Sequence, residues 1–468
     1  MTNTSGARPE PETGIVSDDE DNRLSARAAR YVKVGTNVGA IAAKVAGQRL
    51  FGFESDDRKT AGELAAALGG LKGPIMKVAQ LLSTIPEALP KEYAAELSQL
   101  QSQAPPMSGV FVKRRMIAEL GAGWTSKFKS FDLQPAASAS LGQVHRAVSH
   151  EGLSLACKLQ YPDMQSAVEA DLTQLRIVFG LQARMSRAID TSQIMEEIAA
   201  RLREELDYDL EARHMRLYHH IFRDDDTIRV PVMQPALSTK RLLTMDWLEG
   251  KPLLSFKTAS LEDRNTIAKA MFRAWWLPFS NYGVIHGDPH LGNYTIFEAE
   301  GHPSGVNLLD YGCIRTFPPA FIGGVVNLRN GLLRNDRAAV VHAYETWGFK
   351  GLNNELIDTL SIWARFIYAP LLDDRERTIA EGITAGEYGR KEAFTVHKAL
   401  KEKGPVTVPR EFVFMDRAAI GLGGVFLHLD AKMNWFRLFE DMLDKFDVAT
   451  VARRQAEAFG VSGVPLPT

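Results

Sequence analysis

The stretch from Val284 to Arg315, VIHGDPHLGNYTIFEAEGHPSGVNLLDYGCIR, constrains this chain more than any other. An apolar lead-in delivers His286, Gly287 and Asp288 to a loop, and Asn293 follows five positions after Asp288. A second apolar run, Val306 to Leu309, delivers Asp310 ahead of Tyr311 and Gly312. Two carboxylates and an amide therefore stand on loops beside short strands. Phosphoryl transfer requires this inventory: oxygen ligands for one or two Mg²⁺ ions that bridge nucleotide phosphates, and a carboxylate near the attacking hydroxyl or water. Asp and Gly are also ordinary turn residues, but turn chemistry leaves the ordered recurrence of three metal-suited side chains unexplained. His286 is read as a residue that packs and holds backbone, not as a proton carrier.

The spacing matches a kinase catalytic loop followed by an Asp-Phe-Gly-type metal loop, with Tyr311 in the Phe position. Upstream, residues Phe131 to Tyr161 turn strand-like. The small residues between Ala136 and Gly142, among them Ala137, Ser138, Ala139 and Ser140, read as a hairpin loop able to lie close over phosphates, or simply as an Ala/Ser turn. The partner strand, Leu153 to Leu159, places Lys158 among Leu155, Ala156 and Leu159, where an unpaired ammonium is costly. A phosphate and a carboxylate are its natural partners. The carboxylate is sought on one long helical segment, Ser192 to Phe222, where Asp207 and Glu211 fall four apart on a shared face. Arg241 to Gly250 reads as a strand running into a connector, whose backbone near Met245 to Leu248 would pair with an adenine. An amphipathic helix, Ile267 to Val284, carries Trp275, Trp276 and Phe279 as core. Helices such as Leu356 to Tyr368 and Trp435 to Phe446 then follow to about Gly460, with no Ala-Pro-Glu anchor after Asp310.

A chain of 468 residues with 45% hydrophobic content is long enough for two or more lobes. Its net charge of -2 argues against a nucleic-acid partner. Cys157 and Cys313 are too few for a disulfide framework, which fits a reducing compartment. No apolar run approaches the ~20 residues that span a bilayer, and no secretory pattern opens the chain, so a cytoplasmic protein is expected. Residues 1–22 read as a disordered acidic tail. Between Arg23 and Gly52 the bases Arg23, Arg27, Arg30, Lys33, Lys44 and Arg49 meet no acid. That segment either lies on the inner face of a membrane as a peripheral contact or packs its Ala/Val face on the body. Further helical pieces, punctuated by Pro74, Pro86 and Pro90, carry Lys77 and Gln80 three apart on one face.

These pieces together resemble the UbiB/AarF-type atypical kinases, a family associated with ubiquinone and other prenyl-lipid metabolism. The likeness runs from roughly Arg23 to at least Asp336, through KVAQ at Lys77, SLGQVH at Ser140, CKLQYP at Cys157, ELDYDLEA at Glu205, HGDPHLGN at His286 and LLDYG at Leu308. The resemblance implies an α+β, protein-kinase-like two-lobed fold. Residues 23–125 would form a helical N-terminal extension, 126–250 a small β-containing N-lobe with the hinge, and 251–468 a large helical C-lobe. It further implies that Lys158 grips phosphates, Glu211 orients it, Glu205 and Asp207 form an acidic motif, and Asp288 is the catalytic-loop acid. Asn293 and Asp310 would be Mg²⁺ ligands, with ATP or ADP as the nucleotide, and prenyl-quinone precursors or lipid-biosynthesis proteins as partners. Lys77 and Gln80 would belong to an extension covering the ground where a protein kinase docks a peptide. Two departures stand out, Ala79 where the family has Gly and Tyr311 for Phe, and Gly287 stands where many protein kinases have Arg. A small-molecule phosphotransferase, which shares HGDxHxxN, and a nucleotide-binding pseudokinase scaffold are the competing readings.

Overall fold

The computed structural model describes residues 107–139, 141–185, 192–349, 351–382, 410–443 and 446–467. Lys77, Gln80, Ser140 and the basic segment 23–52 lie outside the described residues.

The smaller lobe is built on a four-stranded antiparallel sheet in the order β1-β2-β3-β5. These strands are β1 (Ser130–Ala139), β2 (Gly142–Val148), β3 (Ser154–Gln160) and β5 (Leu242–Asp246), with a short β4 (Ile228–Arg229) between the last two in sequence. Helix α1 (Gly109–Leu120) lays Val112 and Met116 on one face of this sheet, beside Trp124 and Phe128, over Leu155, Cys157 and Leu159. Residues 107–128 thus pack into the same core as the strands that follow. Strand β1 runs on through Ala137, Ser138 and Ala139, which pair with Val144, Gln143 and Gly142. The expected small-residue loop is therefore mostly strand. Ala and Ser give little β signal of their own, and their place is fixed by the neighbouring backbone, with irregularities around Pro135 where a ladder donor is missing.

Three helices follow: α2 (Met164–Met185), α3 (Ser192–Glu204) and α4 (Tyr208–Ile221). The single helix expected from Ser192 to Phe222 is thus broken. Asp207 is the N-cap of α4 and accepts a hydrogen bond from the Leu210 N–H at 2.8 Å, so it does not share a helical face with Glu211. An Asp just ahead of an amphipathic run is the side chain that satisfies the free N–H groups of a new helix.

The larger lobe is organised around α5 (Leu261–Tyr282). Ser260 caps its start and Gly283, at φ +64, closes its end in the left-handed region, its N–H bonding to Pro278 and Phe279 carbonyls. Trp275, Trp276 and Phe279 are buried in the core. The chain then forms β6 (Val284–His286), β7 (Tyr294–Ala299), β8 (His302–Leu308) and β9 (Ile314–Thr316), with β6 paired to β9 and β7 to β8. Helices α6 (Pro319–Arg334), α7 (Arg337–Thr346), α8 (Asn354–Tyr368), α9 (Arg410–Leu429), α10 (Trp435–Leu443) and α11 (Val448–Ser462) complete the lobe. Among the described residues no helix is long and apolar enough to cross a membrane.

Candidate active site between the lobes

Lys158 leaves β3 from a register where Val144 and Leu243 flank it on the neighbouring strands. Its ammonium reaches Glu211 of α4 at 2.6 Å and Asp310, on the loop between β8 and β9, at 3.4 Å. Two carboxylates from separate elements, α4 and the β8–β9 loop, therefore close on one cation. The ring of Tyr208 lies 5.3 Å from the same nitrogen and adds a cation–π face. Burial disfavours the charge on Lys158, but Asp310 and Glu211 outweigh it and hold the ammonium well above the ordinary lysine range. Burial pushes the Glu211 carboxyl up to about 7, with the Lys158 ammonium opposing. Glu205, half-buried just before α4, adds negative field at Glu211, whereas the exposed Asp207 is spent on its capping role.

The two active loops are pinned by imidazoles. His286 Nε2 donates to the Asp310 carbonyl at 2.9 Å, and its Nδ1 accepts the Asp288 N–H at 3.1 Å, which fixes one neutral tautomer. The carbonyl of His286 is held in turn by Trp275 Nε1 at 2.9 Å. His214, one turn beyond Glu211 on α4, donates from Nδ1 to the Tyr311 carbonyl at 3.1 Å. Tyr311 is fully buried, its ring edge-on to Tyr218 at 5.5 Å and its hydroxyl on the Leu308 carbonyl at 3.0 Å. The hydroxyl in place of a phenylalanine hydrogen is thus accommodated by a local acceptor. Gly312 N–H donates to Asp310 Oδ1 at 3.0 Å. On the facing loop, Asn293 Nδ2 donates to the Asp288 carbonyl at 2.9 Å and reaches its carboxylate at 3.3 Å. Gly287 packs against Cys313, where an added Cβ would come within 3.1 Å of its carbonyl oxygen.

The remaining positions frame the cleft. Gly142 buries its backbone so close to β3 that a Cβ would meet the Leu159 carbonyl at 2.4 Å, so close strand approach alone demands glycine there. Met245 is buried opposite Ala156, and Leu248 is half-buried in the connector after β5. That connector is tied to the larger lobe by Asn307 Nδ2, which donates to the Glu249 carbonyl at 2.9 Å. Sequence reasoning did not single out His214, Tyr208 or Tyr218. Glu211, His214 and Tyr218 recur at i, i+3 and i+7, a one-face spacing that could have marked the side of α4 turned to the backbone of the Asp310 loop.

A small antiparallel sheet with one helix-borne carboxylate, joined by a connector to a helical lobe bearing two acidic loops, defines a two-lobed, protein-kinase-like molecule. The model of the ABC1 atypical kinase-like domain matches residues 99–344, more than half of the chain, and the chain belongs to that family, the UbiB/AarF group. It is 31% identical over 253 residues to "Atypical kinase COQ8, mitochondrial" of Saccharomyces cerevisiae, covering 54% of this chain and 50% of that protein. It is 30% identical over 268 residues to mouse "AarF domain-containing protein kinase 1", covering 57% and 51%. The chain spans about half the length, or less, of curated relatives such as the yeast COQ8 protein and the two Arabidopsis thaliana chloroplast proteins it matches. Among solved structures, the Mycobacterium tuberculosis Rv3197–erythromycin complex superposes with a TM-score of 0.56 at 25% identity, covering 89% of this chain and 99% of that one.

Proposed function

We propose that the chain binds ATP or ADP with Mg²⁺ between its lobes and moves the terminal phosphoryl group to an acceptor or to water. The observation that carries this reading is the convergence of Glu211 and Asp310 on the Lys158 ammonium, beside a second loop where Asn293 braces Asp288. Lys158 would grip the α/β-phosphates with Glu211 orienting it. Ala137, Ser138 and Ala139 with Ser140 and Gly142 would cover the phosphates, and the backbone from Met245 to Leu248 would take the adenine.

Asp310 and Asn293 would hold the cation, and the donor set fits it. Both offer hard oxygen, and Asn293, with Nδ2 committed to Asp288, keeps an amide oxygen that accepts no hydrogen bond among the described residues. Among those residues no three His, Cys, Asp or Glu side chains form an all-protein cage. Mg²⁺ is suited to such a site, since it is held by one or two carboxylates together with phosphates and water. When bound it would neutralise charge on the phosphates. Asp288 would accept the proton of the attacking hydroxyl.

The family resemblance extends the proposal to support of prenyl-quinone, ubiquinone included, or related lipid metabolism. The extension bearing Lys77 and Gln80 would occlude peptide docking, and residues 23–52 would make a peripheral membrane contact. Turnover of γ-labelled ATP tests the reaction. Asp288→Asn is expected to lower turnover by about 100-fold or more while nucleotide still binds; unchanged turnover in that variant would overturn the assignment. A second reading, a small-molecule phosphotransferase, draws support from the Rv3197 structure having been solved with erythromycin. Label appearing on a soluble metabolite would favour it.

A further inference from the structure

Helix α11 touches the supports of three of the elements that carry the site, namely α4 and the loops of Asp288 and Asp310. Gln455 on this helix is 2% exposed, and its Nε2 donates to the carbonyls of Tyr282 at 2.8 Å and Phe317 at 2.9 Å. Tyr282 and Gly283 lead into β6 and so to His286 and Asp288; Phe317 follows β9 and so anchors the loop of Asp310. The Phe317 N–H also bonds the Gly283 carbonyl at 2.7 Å, and a Cβ at Gly283 would fall 2.7 Å from Gln455 Nε2. Beside this junction Arg454 bonds the Asn281 side chain at the end of α5.

The other flank of α11 packs on α4. The Ser462 carbonyl accepts from Arg216 at 3.3 Å, and Gly463 lies against the Arg213 side chain, two residues beyond Glu211. Ala458 and Phe459 are buried in the same core. An apolar side chain of equal volume would fill the space at 455 but would take the Gln455 donors away from the Tyr282 and Phe317 carbonyls. Both amide hydrogens go to the roots of the two active loops.

We infer that Gln455 is a positioning residue: through α11 it holds the roots of the Asp288 and Asp310 loops in register with α4, and thereby Glu211 against Lys158. This rests on the nucleotide-site reading above. The test uses Gln455→Met, which keeps the volume and removes both donors. Amide hydrogen exchange is expected to rise in residues 208–215 and 284–288, and affinity for a fluorescent ADP with Mg²⁺ to fall about tenfold, the scale of one or two buried hydrogen bonds. In a Glu211→Gln background the same substitution should cost clearly less affinity than in the wild type, since part of its effect runs through the Glu211–Lys158 contact. Equal losses in both backgrounds, or unaltered exchange in α4, would overturn the inference. If the wild type binds no nucleotide, the proposed function fails, and the exchange comparison still judges Gln455. Gln455→Asn, which keeps donors on a shorter stem, is read in the same way if the Met variant does not fold.

Discussion

Glu211 and His214 stand three positions apart on α4 and hold different parts of the cleft, one the Lys158 ammonium and the other the Tyr311 carbonyl. Removing Lys158 leaves the buried Glu211 carboxylate without the cation it faces, which is where such pairs matter most. Lys158→Met is therefore expected to weaken Mg²⁺-nucleotide binding at least about tenfold, measured by titration calorimetry. His214 yields a pH prediction. Burial lowers it to about 4, whereas in the unfolded chain it takes a proton near the ordinary histidine value of about 6.5. Between those values the unfolded state binds more protons, so stability falls as pH falls. That single group accounts for up to about 3 kcal/mol across the window. His214→Gln keeps an N–H donor for Tyr311 but cannot titrate, so urea unfolding at pH 7 and near pH 4 should show a smaller acid loss than in the wild type. An identical loss would mean that the imidazole is not held neutral.

At the scale of elements, the sequence was most informative where chemistry and spacing coincide. Asp288, Asn293 and Asp310 lie within one short stretch, and the β6–β9 and β7–β8 pairings suffice to bring their loops near one another. The apolar setting of Lys158 announced the need for a carboxylate. The break between α3 and α4 was not legible, because the hydrophobic period runs through it and neither Gly nor Pro marks it. Its signal was the capping side chain of Asp207. The Ala/Ser portion of β1 was likewise invisible, since strand pairing there is made by backbone and not by side-chain preference. Gln455 carried no signal at all: a lone amide in an amphipathic helix gains meaning only from the two carbonyls it meets. Close approach of β2 to β3 gives a test at this scale. Gly142→Ala must displace the Leu159 carbonyl and is expected to cost roughly 1–3 kcal/mol in denaturant unfolding, as overpacking does. A stability equal to wild type would contradict the observed strand spacing.

Across the whole molecule, the two lobes each carry one buried cysteine. Cys157 lies in the core of the smaller lobe, with its thiol pushed up to about 12 by burial, and Cys313 lies between Asp310 and β9 in the larger. Thiolate is the reactive form, so Cys157 should resist a thiol reagent at pH 8, and Cys313 is shielded by its burial until the lobe that holds it opens. Denaturant-dependent labelling read by mass spectrometry then reports each lobe separately, and Mg²⁺-ADP should delay both. Rapid labelling of Cys157 in the native protein would show that the smaller lobe is not packed as described. The central claim is that one cleft gathers a cation and acidic loops around a nucleotide's phosphates. Calorimetric titration of ATP into the wild type and Asp310→Asn, with and without Mg²⁺, tests it most directly. The account predicts binding that requires the metal and is lost in the variant; metal-independent binding unchanged by Asp310→Asn would contradict it.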